Sequence, residues 1–176
     1  MSKTLSGLNW REENGIIYFS VTSDGTSGRE WIVRLKEKGI DLMHFVEDLL
    51  MSNNFKPSRG VITEIEVMKV TLEGKGEGPS VDIGVGNFPK PYEGMTAVMS
   101  AEVGCLIREA LSDEELTKEM GLMMMIIMHS PIDTGNGARY LAVTFQGGNP
   151  QLIAFVAGPR LPWNGTVGFA FTISSN

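Results

Sequence analysis

Thiols and imidazoles are nearly missing from this chain. Its 176 residues hold one cysteine, Cys105, and two histidines, His44 and His129. A single thiol closes no intrachain disulfide, and a thiolate metal cage needs several. Neither histidine has a second ligand repeating at helical spacing, so neither a metal nor another cofactor is expected. Positive charge is also short: 15 Lys and Arg stand against 21 Asp and Glu, a net charge of −6. Binding to a phosphate backbone needs a basic surface, so a nucleic-acid partner is not expected. No run approaches the roughly 18 apolar residues of a membrane helix. The opening stretch lacks the apolar core of a signal peptide. No membrane partner is expected, and the cysteine usage suits the cytoplasm.

What is present is ordinary for a globular protein: 42% hydrophobic and 20% charged residues. The length fits one domain over residues 1–176. Twenty-one glycines point to many tight turns. Asn14-Gly15 is a hairpin signal, because both residues tolerate positive φ. Ile16 to Val21 reads as its second strand. Ser27 and Glu30 form a capping box for a helix reaching about Lys38, with Gly39 at its end. Asp41 is placed to cap a second helix, Leu42 to Ser52, with Leu42, Phe45, Val46, Leu49 and Leu50 as its stripe. Gly60 to Leu72 is β-rich, although Val61, Ile65, Met68 and Leu72 also fit a helical stripe. Residues 73–94 hold six glycines and three prolines, and any seam or mobile loop belongs there.

Thr96 to Leu111 predicts a long helix, and Ser112 to Glu115 a second capping box for a short one. Four strands follow: Leu122 to Met128, Arg139 to Phe145, Gln151 to Ala157 and Thr166 to Ile173. The first is apolar throughout and should be buried on both faces. Short connections favour a meander. The expected fold is therefore α+β. It combines a mainly antiparallel sheet, made of this four-strand meander and the N-terminal strands, with about four helices packed on it.

The candidate site residues are few. On the long helix, Met99, Val103, Leu106, Ile107 and Ala110 make one apolar face. The opposite face is small, with Ala97, Ala101, Gly104 and Cys105. It suits either burial or the close approach of a second copy. A catalytic Cys105 would lack a helix N-terminus, and Glu102 and Glu109 would hold its thiol protonated. His129 ends a strand and Asp133 follows in a turn, a placement open to proton transfer. Asp133-Thr134-Gly135 resembles the triplet of aspartic proteases, but Asn136 stands where that family has Ala or Ser. A hairpin turn explains the string. Asp41, His44 and Asp48 share a helical face, and Glu64 and Glu66 a strand face. Both patterns also describe solvated surfaces. Trp163 and the Phe88 to Tyr92 segment put aromatics in Pro/Gly loops, where recognition anchors occur.

No constellation has the specificity of an active site. The expected function is a non-catalytic interaction or assembly module, self-associating or bound to a protein partner, using Ala97, Ala101, Cys105 and Trp163. The alternatives are a small hydrolase using His129 and Asp133, and a small-ligand sensor.

Overall fold

The computed structural model describes residues 8–43, 45–69, 99–156 and 165–172. In chain order the elements are β1 (Trp10–Glu13), β2 (Ile16–Asp24), α1 (Gly28–Glu37), β3 (Asp41–Met43), α2 (Val46–Met51) and β4 (Arg59–Lys69). Then come α3 (Glu102–Ala110), a π-helical turn α4 (Glu115–Glu119), β5 (Met124–Ile127), β6 (Ile132–Asp133), β7 (Ala138–Gln146), β8 (Asn149–Val156) and β9 (Val167–Thr172). All nine strands join one sheet in the order β1-β2-β4-β9-β5-β7-β8-β3, with β6 against β7.

The α+β class and the four helices are as the sequence indicates, but the sheet is mixed. β9 runs parallel to β5, and β3 parallel to β8. The expected meander is corrected accordingly. β5, β7 and β8 are neighbours, but β9 returns to lie between β4 and β5. Its physical reason is burial. β9 carries Val167, Phe169 and Phe171 on one face, and only a central position buries that face against both β4 and β5.

Local signals set most elements. Asn14 (φ 53°) and Gly15 (φ 78°) make the β1–β2 turn in the left-handed region that a two-residue hairpin needs. The Ser27–Glu30 capping box is formed reciprocally, and α1 follows it. The expected helix from Leu42 is shortened. Asp41–Met43 adds to the sheet edge as β3 instead, and α2 starts at Val46 after Phe45 (φ 59°) breaks the path. Pairing with β8 satisfies backbone groups that a helix would otherwise satisfy internally.

Two apolar clusters lie on opposite faces of the sheet. The larger gathers Trp31, Leu35 and Leu49 from the helices with Ile17, Ile65, Val143 and Leu152 from the strands. The smaller holds Ile126, Phe169 and Phe171 on the other face. Alternation along β5 explains both: Met125 and Ile127 enter the first, and Ile126 the second. The seam proposed at 73–94 lies outside the described residues. Among those residues, no helix is long and apolar enough to cross a membrane.

Candidate functional site

His129 lies two residues past the end of β5 and is 2% exposed. Its Nδ1 lies 2.7 Å from the Ser130 carbonyl, and its Nε2 lies 2.9 Å from the Leu141 amide. The amide can only donate, so Nε2 accepts and Nδ1 carries the proton to Ser130. Both nitrogens are thereby used. Burial pushes the pKa down to about 4, against a smaller upward pull from the Ser130 carbonyl. The ring stays neutral and stands in for a backbone acceptor opposite Leu141. The hydrolase reading needs a cleft at His129, whereas the ring is sealed. Asp133 lies in the turn, where Oδ1 accepts from Gly135 N at 2.8 Å. That bond closes an Asx turn and explains the Asp-Thr-Gly string locally.

The same turn is held by a residue that the sequence reasoning passed over. Arg139, on β7, is 7% exposed. Its Nε donates to Thr134 Oγ1 at 3.2 Å and its Nη2 to the Asn136 carbonyl at 3.3 Å. The guanidinium carbon lies 3.8 Å from the centre of the Phe45 ring. No carboxylate pairs with it among the described residues. The other buried arginine, Arg108, does have one: Asp113 at 2.9 Å, with the Leu111 and Thr144 carbonyls. The available signal was register. Arg139 shares a strand face with Leu141 and Val143, which lie in the core.

A second feature is the bare stretch of β4. β9 pairs with β4 only over Ile65–Lys69, while β2 pairs from Arg59 onward. Residues 59–64 therefore have a neighbour on one side only, among the described residues. Val61 is 49% exposed and Ile62 68%. Nearby, an open groove of about 510 Å³ is lined by Trp10, Tyr18, Ser20 and Glu64, among others. Glu64 and Glu66 do share one strand face, opposite Ser20 and Tyr18. Burial raises the Glu66 pKa above the usual carboxylate value.

Comparison with protein-family models, curated proteins and solved structures gave no match. The site must therefore be read from its own chemistry.

The small helical face also has a structural account. Ala101 and Cys105 are both buried inside the chain. A side chain at Gly104 would crowd Leu141 at 3.1 Å, so the missing Cβ lets α3 descend onto β7. Charged residues of α3 have partners. Glu102 accepts from Ser58 N at 2.9 Å and Ser58 Oγ at 2.5 Å. Glu109 meets Arg34, and Lys38 at 2.7 Å. Burial alone would raise the Glu109 pKa, but these cations bring it below the usual range. Burial raises the Cys105 pKa far above a free thiol's, and Glu102 and Glu109 raise it further. Cys105 is expected to ignore an aromatic disulfide reagent in native buffer and to react stoichiometrically once guanidinium unfolds the chain. A fast native reaction would refute this placement.

Ala97, Trp163, His44 and the Phe88 to Tyr92 segment lie outside the described residues. Among the described residues, no group of three His, Cys, Asp or Glu side chains is placed to hold a metal.

Proposed function

We propose that the protein is a non-catalytic binding module that associates with a second copy of itself along residues 59–64 of β4. The observation that carries this reading is a strand edge that no described residue covers, with two exposed apolar residues. An open edge is a template for another strand, and proteins usually blunt it with charge, proline or a bulge. Here a bulge at Gly60 and Val61, opposite Ser23, lies at the start of the strand, but Val61, Ile62 and Thr63 bring neither charge nor proline. The Val61 amide donates to Ser23 Oγ on the β2 side at 3.0 Å. Alternation then turns the Ile62 amide and carbonyl to the open side. An antiparallel copy could pair there about a two-fold axis, with Ile62 opposite Ile62. A closed two-fold contact of this type is the commonest oligomer geometry.

Ala101 and Cys105 are not offered as the contact, since the chain itself covers them. The test is solution mass by light scattering over a dilution series. The wild-type chain is expected to be dimeric and Ile62→Lys monomeric. The substitution should change stability by no more than about 0.5 kcal/mol, because the side chain faces outward. A wild-type monomer throughout, or an Ile62→Lys dimer, would remove the sheet-edge reading.

A further inference from the structure

We propose that Arg139 is the anchor of a binding site for a carboxylate carried on an apolar or aromatic group. The site is separate from the β4 edge and does not depend on it. A guanidinium withdrawn from water is costly unless an anion meets it. Arg139 is more than nine-tenths buried, yet its partners are a threonine hydroxyl, a backbone carbonyl and an aromatic face. None of these carries a charge. Nη1 makes no hydrogen bond to any described residue, so part of the planar fork is uncommitted. Asp133, the acid nearest in the turn, is held by the Gly135 amide.

The surroundings choose between anions. Phe45 covers one face of the guanidinium while remaining 43% exposed. Val156, directly opposite Arg139 across the β7–β8 ladder, is also 43% exposed. Phosphate would gain nothing from these two side chains. A carboxylate with a hydrocarbon body would use both, its oxygens on the planar fork and its body against the ring. The shared chemistry fits a free organic acid or the C-terminal carboxylate of a peptide ending in an apolar residue.

Three probes test this on the full chain by heteronuclear NMR, following the Arg139 Nε–H and the Phe45 and Thr134 amides. They are 3-phenylpropanoate, its primary amide and inorganic phosphate, each taken to about 10 mM, a range that detects weak binding. The acid is expected to shift these signals with at least a tenfold advantage over the amide and over phosphate. A pentapeptide ending in phenylalanine separates the two sources. Tenfold tighter binding than the acid supports a peptide terminus, and weaker binding supports a small acid. Arg139→Gln should lose at least tenfold in affinity. If that variant does not fold, the acid and amide comparison on the wild-type chain decides alone. Equal binding of acid and amide, equal binding of phosphate, or no shift with any probe overturns the proposal.

Discussion

Gly28→Ala is expected to destabilise the protein by about 3 kcal/mol or more, the upper end of the range for overpacking. A Cβ at Gly28 would stand 1.8 Å from the Leu50 carbonyl oxygen and 2.7 Å from its carbon. The obstacle is backbone, so no rotamer change relieves it. Relief requires α1 and α2 to move apart. Those helices bury Trp31, Leu35, Val46 and Leu49 in one cluster and are tied by Lys36 and Glu47 at 2.5 Å. Moving them costs packing as well as space. Urea unfolding measures the loss. Arg29→Ala is the control, because its exposed neighbour position on the same helix should change stability by less than about 0.5 kcal/mol. Equal midpoints for Gly28→Ala and the wild-type chain would refute the close approach.

The second large effect belongs to His129 and is read in pH. Its folded pKa is about 4 against an ordinary value of 6.5, with burial as the main cause. The unfolded chain therefore binds the proton more readily than the folded one. Stability from the neutral ring is complete above about pH 6.5. It falls as pH drops through the window between the two values, and it is lost below about 4. The difference between the two values corresponds to roughly 3 kcal/mol. His129→Phe should flatten this part of the curve. It should also cost about 1–3 kcal/mol at neutral pH, because the Leu141 amide loses its buried acceptor. The difference between the two stability curves from pH 7 to 4 isolates the histidine from Asp24 and Glu109, whose lowered pKa values place their own losses at more acid pH. Parallel curves would show that the ring is not the acid-sensitive element.

Residues whose meaning is local were legible in the sequence. Asn14-Gly15 marks its turn because positive φ is a property of those two residues. Ser27 and Glu30 mark a helix start because their bonds span three residues. The uninterrupted apolar run around Ile126 announces a central strand. What could not be read is pairing across the chain. Nothing in Val167–Thr172 says that β5 will be its parallel neighbour. Strands as short as Asp41–Met43 and Ile132–Asp133 carry too few residues to show a period, and Asp41 followed by Leu42 looks equally like a capped helix. For the candidate sites, the small face with Ala101 and Cys105 is open in the sequence between burial and a second copy, because small residues serve either a partner or the chain's own sheet. Only Gly104 against Leu141 distinguishes the two. Arg139 was legible in principle, as a charge in the inward register of β7. Ile62 was not, since its exposure depends on which strands lie beside β4.

That late strand has a consequence for the chain as it is made. β9 joins β1-β2-β4 on one side to β5-β7-β8 on the other, and it comes last of the nine in chain order. A nascent chain that ends before Val167 lacks β9 altogether, and among the described strands β4 and β5 are then both edges. Vectorial synthesis cannot close this fold from front to back. Until the last strand emerges, the growing chain offers two adhesive borders to chaperones and to other nascent copies. Losing a few residues near 170 would split the sheet at its middle instead of fraying one end.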